Sequence, residues 1–241
     1  MEFDSIFAPG DAERAQRTLE KLRQHRIEPL VLTGGIAIEF LLRSRGIPAE
    51  TRPLNDIDFL VDSFDEIPKA LGEHFLFRHV HPHDPQAKTL LQSVDPETEL
   101  RVDVFRACGE TTARAQVVEV CGAPMRMIAL EDLAARTARL CMNLDANTPM
   151  PAKHARDLLR LLAQVETSGI ERAWQDHRKP DHPESFAEAA ELLCGLIATR
   201  HDLLIVPVYS QDARARCPRC EGSEFFPLAD GERIRSLLGY C

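Results

Sequence analysis

Asp56-Ile57-Asp58 is the single Asp-x-Asp in the chain, and it stands in the alternating run Ile57-Asp58-Phe59-Leu60-Val61. Side chains of a strand alternate between its faces, so both carboxylates fall on one side while Ile57, Phe59 and Val61 fall on the other. The run Leu100 to Phe105 repeats the pattern, with Leu100, Val102 and Val104 on an apolar face and Asp103 opposite them. If the two strands are neighbours, three acids converge. Two carboxylates about 4 Å apart repel by roughly 4 kcal/mol at an effective dielectric near 20, so a cation must offset the charge. Mg²⁺ takes carboxylate oxygens together with water and phosphate, and a pair of such ions serves phosphoryl and nucleotidyl transfer. The chemistry these residues suit is therefore displacement at a nucleoside triphosphate.

A phosphate cradle precedes them. Pro29-Leu30-Val31-Leu32 reads as a short strand that ends in Thr33-Gly34-Gly35, and a helix follows from Ile36 to Arg45. Glycine lets backbone N–H groups approach an anion at the positive end of a helix. A Gly-Gly pair alone also serves as an ordinary tight turn; its weight here comes from the acids that follow it. The bland alternative for the acids is a turn at Asn55-Asp56, a solvated Asp58, and Asp103 paired with Arg101 or Arg106.

Several elements must position this constellation. A first helix is predicted over Asp11 to Arg26, and one over Asp65 to His74. Further strands are predicted at Leu76 to Val80, Thr89 to Val94, Leu100 to Phe105, Gln116 to Val120 and Pro124 to Ile128. From Ala129 the pattern becomes helical, over Leu130 to Met142, Ala152 to Val165, Ile170 to His177 and Pro183 to Thr199. The expected organisation is an α/β domain with a mixed β-sheet and flanking helices over residues 1–128, a helical domain over 129–201, and a tail over 202–241 that ends in a short helix at Glu232 to Leu238.

Strand, Gly-Gly, helix, Asp-x-Asp on the next strand and a later lone strand Asp together resemble the nucleotidyltransferase superfamily pattern. More narrowly, Arg52-Pro53-Leu54-Asn55-Asp56-Ile57-Asp58-Phe59-Leu60-Val61 is similar to a segment of the AbiEii-like nucleotidyltransferases, with Leu54 where a Thr is usual. Glu131-Asp132-Leu133 and Lys153-His154-Ala155-Arg156-Asp157-Leu158 resemble two later family segments. Thr137 replaces the Lys expected one turn after the first, and Arg136 and Arg139 are the cations left to contact phosphate there. The likeness covers about residues 28 to 165.

The resemblance implies transfer of AMP or another NMP from a nucleoside triphosphate such as ATP to a hydroxyl on a protein, a tRNA or a small molecule. It also implies a toxin–antitoxin or resistance setting with an antitoxin-like partner. Asp56, Asp58 and Asp103 would be the catalytic, Mg²⁺-binding acids. Thr33, Gly34, Gly35, Arg52 and Lys153 would grip the nucleotide, and Asp157 would anchor a helix. The rival reading is a noncatalytic nucleotide-binding or protein-interaction module on the same fold.

Composition sets further bounds. With 29 basic and 38 acidic residues the formal charge is −9, which argues against a broad cationic surface for nucleic acid. No run of about 18 apolar residues suggests a membrane span, and the start Met-Glu-Phe-Asp lacks the basic and apolar runs of a secretory leader, so the cytoplasm is the expected compartment. Neither a Gly-x-Ser-x-Gly elbow nor a Gly-Lys-Ser/Thr loop occurs, which sets aside serine hydrolase and P-loop chemistry.

Of the seven cysteines, Cys108, Cys121, Cys141 and Cys194 read as small core hydrophobes. Cys217-Pro218-Arg219-Cys220 is half of a zinc knuckle. A closed Zn²⁺ site would need a histidine such as His177, His182 or His201, or a ligand from another chain; otherwise these are free thiols. His79, His81 and His83 with Asp84 read as a solvated loop, and Trp174 as packing.

Overall fold

The strands carrying the acids are neighbours. The structure, a computed structural model, describes residues 2–81 and 89–206. Its main sheet holds β1 (Val31–Thr33), β2 (Asp56–Val61), β3 (Leu76–His81), β4 (Leu90–Asp95), β5 (Leu100–Arg106), β6 (Gln116–Val120) and β7 (Ala123–Met127), in the order β3-β4-β5-β2-β1-β7-β6. The β2–β5 and β1–β7 pairs are parallel, and the other pairs are antiparallel. A second, two-stranded sheet pairs β8 (Met150–Pro151) with β9 (Leu204–Ile205), which periodicity does not announce in strands so short. The fold is mixed α/β, as the sequence leads one to expect.

The central strands are the most apolar because both of their faces are covered. Val31, Leu32, Ile57, Phe59, Leu60 and Val61 are fully buried. Helix α1 (Pro9–Arg23) buries Leu19 and Leu22 and opens with Pro9, whose missing N–H costs nothing at a helix start. Lys21 of α1 bonds Asp95 at 2.7 Å, and Thr18 bonds the same carboxylate at 3.0 Å, which fastens the helix to the β4–β5 turn.

Helix α2 (Gly34–Ser44) packs on β1 and β2. Beyond the sheet, α4 (Leu130–Cys141) contacts α5 (Ala152–Leu162), α6 (Thr167–His177) and α7 (Phe186–Thr199), and both α4 and α5 touch α2. Ser185 and Glu188 form a reciprocal capping box at the start of α7.

Three expectations need correction or fall outside what the structure describes. The helix predicted over Asp65 to His74 is broken into a 3-10 turn, Phe64–Glu66, and a short α3, Leu71–His74. Pro68 lies between them and supplies no amide to a continuous helix. Of the four cysteines read as core residues, Cys141 is buried, Cys108 and Cys121 are half-buried and Cys194 is exposed. At Cys194 the buried side of α7 is taken by Leu193 and Ile197 instead. Cys217, Cys220, His83, Asp84 and the helix expected at Glu232 to Leu238 lie outside the described residues. Trp174 is packing, fully buried with Nε1 donating to Pro183 O at 2.9 Å. Among the described residues no helix is long and apolar enough to cross a membrane.

Candidate active site

A polar row crosses four adjacent strands of the sheet. Thr33 of β1 registers with Asp58 of β2, Asp58 with Asp103 of β5, and Asp103 with Gln92 of β4. Registered partners on neighbouring strands point to the same face, so the four side chains stand side by side. Asp56 lies two residues before Asp58 on that face and registers with Arg101. An oxygen from each of Asp56, Asp58 and Asp103 falls within 4.8 Å of the others. The acids singled out by alternation are thus brought together on one side of the sheet.

This gathering is electrostatically costly. Burial, then repulsion from Asp56 and Asp103, pushes the Asp58 carboxyl well above the ordinary carboxylate value. Asp103 is only 4% exposed. Part of the charge is met by Arg101, which pairs with Asp56 and brings Nε within 3.0 Å of Asp103 Oδ1. Gln92 Nε2 donates to both Asp103 oxygens at 3.2 Å. The sequence names Arg101 only as a possible partner of Asp103, a pairing the structure shows, and it does not single out Gln92. Arg101 sits at the right interval to share the face of Asp103, but Gln92 is found only through the pairing of β4 with β5.

The glycine turn abuts the acids. Gly34 has φ +70, and a Cβ there would fall 1.9 Å from Asp58 Oδ2. Only glycine allows both this backbone and this approach. A Cβ on Gly35 would stand 3.2 Å from Arg52 Nη1. Thr33 precedes the helix as its cap, yet its side chain makes no capping bond, and Oγ1 is buried without a partner. At the other end of the row Gln92 Oε1 is likewise buried and unpartnered. Buried polar atoms are usually satisfied, so this pair of orphans brackets a place fit for a polar ligand.

Arg52, expected to neutralise phosphate charge, is committed elsewhere. It forms a two-pronged bond with Asp157 and donates from Nε to Glu39 Oε1 at 2.6 Å. Arg160 takes both oxygens of the same Glu39, at 2.7 and 2.9 Å. Two cations and two anions close a neutral quartet beneath the turn, joining α2 to α5. Burial alone would raise the Glu39 pKa, but bonds from Arg160, the Glu50 amide and Arg52 outweigh it and hold the group below its usual value. Its stabilisation is complete above the free glutamate pKa and is lost as pH falls through the lowered value. Glu39→Gln leaves two buried guanidinium groups undercompensated, and urea unfolding at pH 7 is expected to show a loss of about 3 kcal/mol.

Lys153 lies half-buried in the first turn of α5. Thr137, which stands where the resemblance expects a Lys, turns its hydroxyl back to Leu133 O at 2.7 Å. Arg136 lies over the Phe105 ring, 4.7 Å from its centroid, and its charge faces Asp58. Arg139 instead donates to Cys108 Sγ at 3.3 Å. Of the two arginines considered as phosphate contacts, Arg136 is the one beside the acids.

No family model matches the chain, and no curated protein matches it. Among solved structures it is similar to ANT(2″)-Ia in complex with adenylyl-2″-tobramycin, with 16% identity and a TM-score of 0.45 over 67% of this chain and 95% of that one. It is similar to JHP933 from Helicobacter pylori, with 14% identity and a TM-score of 0.45 over 97% of this chain and 90% of that one. It is also similar to the Megavirus polyadenylate synthase, with 11% identity and a TM-score of 0.42, where the match covers 79% of this chain but only 37% of that longer one.

Proposed function

We propose that this chain transfers a nucleoside monophosphate from a nucleoside triphosphate to a hydroxyl acceptor, with release of pyrophosphate. The observation that carries the reading is the convergence of Asp56, Asp58 and Asp103 on one face of the sheet, against the glycine turn that opens α2. An all-oxygen donor set suits Mg²⁺. The residues fit such an ion by their chemistry, by the repulsion it would relieve at Asp58, and by the space kept open at Gly34. Asp56 and Asp58 would hold the ions that bind the triphosphate, and Asp103 the one nearest the acceptor. Divalent cations bound there supply neutralisation of the phosphates and a lower pKa for the acceptor hydroxyl.

The chain's own residues do the remaining work. Gly34 and Gly35 present amides at the positive end of α2 to the β- and γ-phosphates, and the Thr33 hydroxyl is free to donate to them. Arg136 offers a cation toward the leaving pyrophosphate, and Lys153 a second along the cleft. The acceptor oxygen bonds to the α-phosphorus as the α–β anhydride breaks, with the acceptor's proton passing to solvent. Positioning and charge compensation supply most of the rate. In this reading the helices after residue 129 form the second wall of the cleft.

Isothermal titration with a nonhydrolysable ATP analogue tests the proposal. Binding that requires Mg²⁺ is expected, and no metal-dependent binding of any nucleoside triphosphate would end it. Mass spectrometry of labelled-triphosphate reactions offered cell lysate then identifies the acceptor, whether protein, tRNA or small molecule.

One observation favours a second reading. Arg101 already occupies Asp56 and approaches Asp103, as it would in a noncatalytic interaction module, such as one serving an antitoxin-like partner, that has kept the fold. Asp103→Asn separates the two. Loss of the cellular phenotype with folding retained supports chemistry, and an unchanged phenotype supports the module.

A further inference from the structure

A second cluster of reactive groups lies outside the acid site. β5 ends at Arg106, and the chain continues through Ala107, whose amide bonds Val61 O at 2.8 Å, to Cys108. The half-buried Cys108 accepts a hydrogen bond at Sγ from Arg139 Nη1 of α4 at 3.3 Å. From α6, His177 comes to the same place, only 1% exposed. Its Nε2 lies 3.3 Å from Asp132 Oδ1 and 3.1 Å from Thr111 Oγ1. The other ring nitrogen, Nδ1, is buried and without a hydrogen-bond partner. The further group with which the imidazole interacts is the Cys108 thiol.

Asp132 is itself fixed by Arg114, at 2.8 and 2.6 Å, and Arg114 also holds Asp176 at 2.6 Å. The arrangement orders a thiol, an imidazole and an oriented carboxylate, with a guanidinium on the sulfur. Purely structural thiols lack such company.

We propose that Cys108 is a modification site: a nucleophilic thiolate, held by His177, Asp132 and Arg139, that takes an oxygen atom from small hydroperoxides. In the step, the thiolate sulfur attacks one peroxide oxygen, the S–O bond forms and the O–O bond breaks. Sulfur is oxidised by two electrons to the sulfenic acid, the peroxide is reduced, and the leaving hydroxide (from hydrogen peroxide) or alkoxide (from an organic hydroperoxide) takes a proton from solvent.

The electrostatics agree with the geometry. The neighbouring His177 imidazole, against a smaller opposing effect of burial, brings the Cys108 thiol down to about 7. Burial instead pushes Cys121 up to about 11 and Cys141 up to about 12. His177 would be lowered by its burial, but its bond to Asp132 and the neighbouring Cys108 thiol prevail and raise it. The imidazolium and thiolate therefore stabilise one another. Arg136 lies near enough for its charge to act on both Cys108 and Asp58, so the modification would be felt at the proposed nucleotide site. The thiol's reactivity itself requires no nucleotide and stands apart from the transferase reading.

Carbamidomethylation of the whole chain by iodoacetamide, followed between pH 5.5 and 9 on the tryptic peptide Ala107–Arg114, tests the proposal. That peptide holds no other cysteine. The rate is expected to reach half its maximum near pH 7 and, at pH 6.5, to exceed that of free cysteine roughly five- to tenfold. After brief exposure to hydrogen peroxide, dimedone is expected to label this peptide ahead of those carrying Cys121, Cys141 and Cys194. His177→Gln should move the midpoint toward 8.5. If that variant fails to fold by circular dichroism, Arg139→Gln should slow the reaction several-fold. A wild-type midpoint at or above 8.5, or dimedone labelling of Cys194 before Cys108, would overturn the proposal.

Discussion

Gly34→Ala is expected to lose Mg²⁺-dependent triphosphate binding and about 3 kcal/mol of stability together. The left-handed backbone of Gly34 costs a residue with a side chain roughly 1–2 kcal/mol. The added methyl would also sit 1.9 Å from Asp58 Oδ2, so the carboxylate must move out of its row. One methyl group thus disturbs the cradle and the acid cluster at once. Titration calorimetry and urea unfolding read the two losses separately. If Gly34→Ala bound nucleotide as the parent does and unfolded within about 0.5 kcal/mol of it, the close approach of turn and acid would have no functional weight.

Asp58→Asn is expected to act in opposite directions on activity and stability. Removing a ligand from the acid cluster should lower turnover on the order of a thousandfold or more. The metal-free protein should nevertheless become more stable by about 1–2 kcal/mol, which for a chain of this size raises Tm by roughly 2–8 °C. The sign follows from the raised pKa of Asp58. Above that value the ionised group opposes folding, and protonation as pH falls through it relieves the strain. The parent should therefore gain stability as pH falls from the raised value toward the ordinary carboxylate value, and the asparagine variant should lack this gain. A Tm that falls on substitution, with the parent's pH profile unchanged, would remove the case for a strained site.

The acid cluster was legible in the sequence because strand periodicity is short-range: the spacing of Asp56 and Asp58, and the apolar neighbours of Asp103, fix which face each acid shares. Whether the two strands adjoin is a long-range matter, and there the resemblance supplied the order. The fate of Arg52 could not be read, because its partners Glu39 and Asp157 lie on two different helices. The cluster at Cys108 escaped for the same reason. Its members come from the end of β5, from α4 and from α6, and Cys108 among apolar residues looked like packing. Local pattern also overstated the helix after Asp65, where a single proline outweighed the apolar spacing on either side.

The ion-paired quartet limits how this molecule can breathe. Glu39 rides on the helix that begins at the glycine turn, while Asp157 and Arg160 ride on α5. Swinging α5 away from the sheet would strip four charges from a nearly dry seam, a cost of several kcal/mol. If the chain acts as proposed, substrates would enter and leave with this seam shut, past side chains the quartet does not clamp, such as Arg101.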